Sequence, residues 1–218
     1  MRGTPKKTPY IMGFIKRISN MAKSNEPPAE VKAMFDRIRK FMIDETSQND
    51  LYPPEVMRRI LEGPAVDKVS SGSGEFGRDP NNPIPVNGFI GELVYISQLR
   101  TSGGVQMIGH RLGAVGQVDV FELMSIDGRS WDLLYFDLYH PRKSRSVPSG
   151  YRLVESSFFY ATNKRVANFP RGFRGAMSEC TESFLGIPLV APDLFDDTRI
   201  DRFERPTLHL EALDNLRL

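Results

Sequence analysis

The sequence predicts an α+β fold in which an N-terminal helical segment packs on a small, mainly antiparallel β-sheet. Three observations predict it. Apolar residues recur at helical spacing through residues 11–61. A stretch dense in Gly, Pro, Ser and Asn follows, and beyond it come runs of β-forming residues broken by turn signals. The domain reading is a helical segment over 1–66, a linker or ordered loop over 67–88, and a β-rich core over 89–218 with an irregular acidic tail.

In the first segment, Ile11, Phe14, Ile15, Ile18 and Met21 share one helical face and Lys16, Arg17 and Lys23 the others, which predicts a short basic amphipathic helix. Six cations, Arg2, Lys6, Lys7, Lys16, Arg17 and Lys23, precede the first acid, Glu26. The apolar stretch IMGFI is cut at once by Lys16 and Arg17, so it does not read as a secretory signal, and an organellar transit peptide is the minor alternative. A second helix is predicted after Pro27-Pro28, with Val31, Met34, Phe35, Ile38, Phe41 and Met42 as its core stripe. The same device in YPPEVMRRILEG predicts a third helix from Pro53-Pro54, carrying Val56, Ile60 and Leu61 and closed by Gly63.

The segment SSGSGEFGRDPNNPIPVNG holds too many turn formers for a packed element. Strands are expected in ELVYISQL, VQMIGHRL, VDVFELMSI, WDLLYFDLYH and YRLVESSFFYAT. ELVYISQL also fits a helix, because Phe89, Leu93 and Ile96 follow that period. The firmest local expectation is a hairpin around Asp127-Gly128 with a type I′ turn, which sets Met124 opposite Trp131, Val120 opposite Tyr135 and Phe121 opposite Leu134. Apolar residues then lie on both faces of that hairpin, so both faces should be covered.

Composition narrows the function classes. With 40% hydrophobic and 26% charged residues the chain is of ordinary globular type, and its longest apolar runs fall far short of the ~20 residues of a spanning helix. A single cysteine, Cys180, excludes an intrachain disulfide framework and suits a reducing, cytoplasmic setting. No HExxH, paired Cys, calcium loop, phosphate-binding GxxxxGK[ST] or GxSxG elbow occurs, so no metal or cofactor is expected. Charge is segregated: residues 140–175 carry eight cations against the single acid Glu155, whereas residues 176–218 carry nine acids against four arginines. The economical explanation is an acidic tail folded across the basic segment. The sharper one is a phosphate-binding surface with Phe169 and Phe173 as a stacking platform.

The stretch FDLYHPRKSR, residues 136–145, concentrates the candidate chemistry. His140 is one of three histidines, and Asp137 three residues before it could orient an imidazole only if the strand bends ahead of Pro141, since the spacing otherwise places the two on opposite faces. Arg111, Arg142, Lys143 and Arg145 form the candidate anion-binding set, because guanidinium forks pair with carboxylate or phosphate. The reading that asks least is a non-enzymatic module that binds a protein partner through this basic loop or the N-terminal helices. An enzyme acting on an anionic substrate with His140 and Asp137 as its acid-base pair, and a nucleic-acid-binding protein, are the alternatives; oligomeric state is left open.

Overall fold

In a computed structural model the described residues are 29–191, 194, 200–207 and 209. The predicted helix over Ile11–Met21 lies outside them. The chain divides into two compact units, Met1–Ile38 and Arg39–Leu218, and everything that positions the site lies in the second.

Helix α1 (Ala29–Ile43) is the expected second helix, with Val31, Ile38 and Met42 of its stripe buried. Asp44 stops it and starts α2 (Glu45–Asn49): its carboxylate accepts from the N–H groups of Thr46 and Ser47 at 3.1 and 3.4 Å, which satisfies orphan donors of the first turn. Helix α3 (Pro54–Glu62) starts on Pro54, whose missing N–H costs nothing there, and buries Ile60. Gly63 ends it for a reason the sequence did not suggest. Its φ is −70°, not left-handed, but a Cβ there would lie 1.8 Å from the carbonyl oxygen of Tyr139. Close backbone approach, not turn conformation, requires the glycine.

The sheet runs in the order β1 (Ile84–Pro85), β5 (Trp131–Asp137), β4 (Val118–Ser125), β3 (Met107–Val115), β7 (Ala161–Thr162); β2 (Leu99–Thr101) and β6 (Tyr151–Leu153) form a separate antiparallel ribbon. The central β3-β4-β5 meander is antiparallel, but both edge strands pair in parallel, β1 on β5 and β7 on β3. The fold is thus α+β with a mixed sheet, a correction to the mainly antiparallel expectation. Each edge strand is two residues long, too short for any periodic signal.

The predicted hairpin register is observed: Met124 faces Trp131, Val120 faces Tyr135 and Phe121 faces Leu134. The turn type differs, because only Gly128 has positive φ (+73°). Asp127 keeps an ordinary conformation, its carboxylate accepting from the Arg129 N–H and the Ser125 hydroxyl, so a type I′ turn is not formed.

Residues Gly88–Gln98 form helix α4, the alternative that the spacing of Phe89, Leu93 and Ile96 offered, and not the expected strand. Ten of its eleven residues are buried, so no polar face marks the helical period and the run reads as an interior strand. It lies on the sheet face that carries Phe121 and Phe136: a Cβ on Gly109 would meet Ile96, and the Tyr95 and Phe136 rings meet edge-on at 5.8 Å. The opposite face, with Ile108, Met124 and Trp131, is covered by Val166, Phe169 and helix α5 (Phe173–Leu185). Both faces are covered, as the double-sided apolar pattern requires, by helices from the middle and end of the chain.

Candidate functional site

Two distinctive strings, NPIPVNG and DLYHPRKSR, fold onto each other. The Val86 N–H donates to the Asp137 carbonyl and the Gly88 N–H to the Leu138 carbonyl, each at 2.8 Å; His140 N–H donates back to Val86 at 3.3 Å and Ser144 N–H to Pro85 at 2.8 Å. Asn87 bridges to Tyr139. This pairing bends the chain at the end of β5, so Asp137 and His140 do not stay on opposite faces: His140 Nε2 lies 3.1 Å from Asp137 Oδ2.

The other ring nitrogen is also taken. His140 Nδ1 lies 2.7 Å from the Pro64 carbonyl oxygen, which the Gly63 approach sets in place. A carbonyl and a carboxylate only accept, so both contacts are hydrogen bonds when the ring carries both protons. Burial alone would lower the pKa of His140, but the Asp137 carboxylate and the Pro64 carbonyl outweigh it and raise it. Burial likewise pushes Asp137 up, yet the bonds from His140 and the Tyr139 N–H leave it below the ordinary carboxylate value. The pair ties β5 to the loop after α3, each ring nitrogen of His140 having a partner within the chain.

Three of the four predicted anion-binding cations pair with carboxylates of their own chain. Arg111 grips Asp119 with two bonds, at 2.5 and 2.7 Å. Arg142 donates to Asp67 at 2.6 Å and to the carbonyls of Ala65 and Lys143, and Lys143 meets Glu45 at 2.8 Å. Asp67 also accepts the backbone N–H of Arg145, whose side chain is exposed. Arg142, Lys143 and Arg145 therefore hold the loop against residues 45 and 65–67, while Arg111 belongs to a separate pair on β3 and β4.

Beside the His140 tie is an open groove of about 600 Å³ lined by Arg59, Glu62, Ser70, Gln117, Asp137 and His140. Next to it, sharing Tyr139, is an apolar slot of about 210 Å³ bounded by Tyr52, Val56, Ile60, Phe89 and Leu138. The Arg59 guanidinium stacks 3.9 Å above the Tyr139 ring. No protein family, curated protein or solved structure matches the chain.

The charge-segregated segments meet in part. Lys164 pairs with Glu179 at 2.6 Å and Arg174 with Asp201 at 3.2 Å. Phe169 and Phe173 are core residues, 2% and 0% exposed, so they offer no stacking platform. Cys180 is buried against Asn163, and burial pushes its thiol up, the setting of an inert cysteine.

Sequence reasoning missed a buried polar cluster centred on Glu122. His110 Nε2 lies 2.8 Å from Glu122 Oε2, and His209 Nδ1 lies 3.0 Å from Glu122 Oε1. Arg205 adds an ion pair to that oxygen at 3.0 Å. The hairpin register was the available signal for His110, since it sets Glu122 on the face of Val120 and Met124; nothing in the sequence announced His209 or Arg205 as partners. Among the described residues no group of three His, Cys, Asp or Glu side chains has an arrangement that could hold a metal. None of the described helices is long and apolar enough to cross a membrane.

Proposed function

We propose that the protein is a non-enzymatic interaction module, working in the cytoplasm, whose binding surface is the groove and slot on either side of α3 and Tyr139. The observation that carries this reading is that both nitrogens of His140 are engaged within the chain, leaving no free base. The basic loop enters the surface through Tyr139 and His140; its cations Arg142 and Lys143 serve as internal anchors. The partner is a peptide segment with one apolar side chain for the slot and polar groups for the groove. A peptide-display selection against the parent protein tests this. The expected result is a shared apolar anchor residue in the enriched peptides, with binding lost on Val56→Glu. Peptides that bind Val56→Glu as tightly as the parent would refute it.

One observation favours a second reading. The Asp137–His140 contact lies in the wall of a groove large enough for a small molecule, an arrangement that suits an enzyme acting on an anionic substrate. A heat-unfolding screen against phosphate, nucleotides, dicarboxylates and short oligonucleotides separates the readings. A ligand at a hundredfold its Kd stabilises by ~2.7 kcal/mol, so stabilisation by an anion that His140→Gln abolishes would support the enzyme.

A further inference from the structure

The described residues of the segment 200–209, which are 200–207 and 209, lie across the sheet face opposite α4. Ile200 is wholly buried in the core there, and Phe203 covers the β4–β5 turn so closely that a Cβ on Gly128 would sit 2.3 Å from its ring. Arg205 fastens the segment: it donates to the carbonyls of Ala167 at 2.9 Å and Val166 at 3.2 Å, and its guanidinium pairs with Glu122. His209 donates to the same carboxylate, which can only accept. These anchors converge on His110, whose side chain is fully buried.

The tautomer of His110 follows from its neighbours. The backbone N–H of Val166 donates to Nδ1 at 3.1 Å, so Nδ1 carries no proton, and Nε2–H donates to Glu122. His110 is neutral in this arrangement. Burial, the largest influence, and the nearby Arg205 both disfavour its charged form, while Glu122 favours it, and the balance lies below the ordinary imidazole value. A proton added at Nδ1 would face the Val166 N–H donor to donor, and Val166 is the residue whose carbonyl holds Arg205.

We propose that His110, Glu122 and Arg205 form an acid-sensitive latch: segment 200–209 is held across the sheet while His110 is neutral and is released when His110 takes up a proton at Nδ1. Among the described residues, the charged and titratable groups around His110 are Glu122 from β4 and Arg205 from the segment itself, with His209 acting through Glu122. The loop after β7 contributes the Val166 N–H and the Phe169 ring, 4.4 Å from the imidazole, and β5 contributes the neutral Trp131. Protonation removes the acceptor for the Val166 N–H and sets donor against donor, so residue 166 shifts away from the ring and takes the carbonyl that anchors Arg205 with it. Release uncovers the His110–Glu122 pair and Trp131.

The chain's only tryptophan is in place to report this, since Trp131 meets His209 edge-on at 5.7 Å and Phe169 at 5.8 Å. The test is an acid titration of the full chain from about pH 8 to about pH 5, following Trp131 emission, rate-corrected amide exchange in 200–209, and the His110 imidazole by NMR. The expected result is a red shift and a loss of protection of up to about tenfold per pH unit, with a midpoint matching the titration of His110. His110→Gln should remove the transition and His209→Gln should keep it. If the His110→Gln variant does not fold, the parent still decides: protection of 200–209 that stays unchanged while His110 titrates overturns the latch, as does a transition that disappears in His209→Gln.

Discussion

Replacing Gly63 by alanine sets two physical effects of opposite sign against each other. The backbone there, φ −70° and ψ 162°, is open to any residue. On conformational grounds alone, Gly63→Ala should stabilise the protein by about 0.4–1 kcal/mol through the unfolded state. The contacts say otherwise, because the new methyl would fall 1.8 Å from the Tyr139 oxygen, 2.8 Å from its carbonyl carbon and 3.3 Å from the His140 Cα. Ordinary carbon–oxygen contact needs about 3.5 Å, so backbone must move well over an ångström. That backbone holds the Pro64 carbonyl on His140 and the Asn87–Tyr139 bridge. Overpacking of this kind costs about 1–3 kcal/mol, and the rigid obstacle puts the variant at the upper end. At roughly 2–4 °C per kcal/mol for a chain of this size, the midpoint should fall by about 6–12 °C. Gly175 is the control: it lies in α5 with nothing within 4 Å of where its Cβ would stand, so alanine there should stabilise by up to about 1 kcal/mol. Urea and heat unfolding of the two variants give the comparison. A Gly63→Ala protein as stable as the parent would refute the account of why the site is built as it is.

Three further outcomes follow from the site. Arg142→Ala should destabilise by about 1 kcal/mol, because Asp67 is partly exposed and water can replace part of the lost pair, and should leave anion affinity unchanged; a loss of anion binding without a loss of stability in urea would reverse that assignment. Glu92 on α4 is fully buried with no donor to either oxygen among the described residues, and burial followed by the neighbouring Asp119 charge raises its pKa well above the ordinary carboxylate value, which favours a protonated acid facing Asp119. The infrared carbonyl band of a protonated carboxyl should be present at neutral pH and vanish in Glu92→Gln, which should fold at least as stably as the parent since the amide also donates. His140→Gln should loosen the loop after α3 and raise amide exchange in residues 63–67; unchanged exchange would show that the tie is not holding that loop.

The legible part of the fold was the part with strong local periodicity or turn chemistry. The β4–β5 register followed from Asp127-Gly128 and the lengths of the runs around it, even though Asp127 holds the turn by side-chain bonds in place of positive φ. Helix α3 was readable because Pro54 and the apolar stripe agree. Helix α4 was legible only as the second of two readings: Phe89, Leu93 and Ile96 kept the helical period, but burial on all sides erases the polar face that distinguishes a helix from an interior strand. The two-residue edge strands that make the sheet mixed exist only through long-range pairing, and no local pattern encodes them. The candidate site divides the same way. Asp137 and His140 were found by proximity in sequence and a proline after them, whereas the carboxylates that neutralise Arg142 and Lys143 come from residues 67 and 45, distances along the chain that no motif spans.

Two of the three histidines respond to acid in opposite directions, and the reason lies in what each nitrogen faces. Both nitrogens of His140 face acceptors, so its protonated form is the stabilised one: its contribution is complete below the ordinary value of 6.5 and is lost as pH rises through its higher folded pKa. Asp137, held below 3.8, adds to that tie until pH falls through its own lowered value. His110 has a donor at one nitrogen and an acceptor at the other, so its neutral form is stabilised, and stability is lost as pH falls from 6.5 through its depressed folded pKa. Mild acid therefore strengthens the junction between β5 and the loop beside the groove while it weakens the hold on segment 200–209. A chain in which one imidazole tightens as another loosens can change the cover on one sheet face without unfolding the rest, which is the physical requirement for a local switch as opposed to acid denaturation.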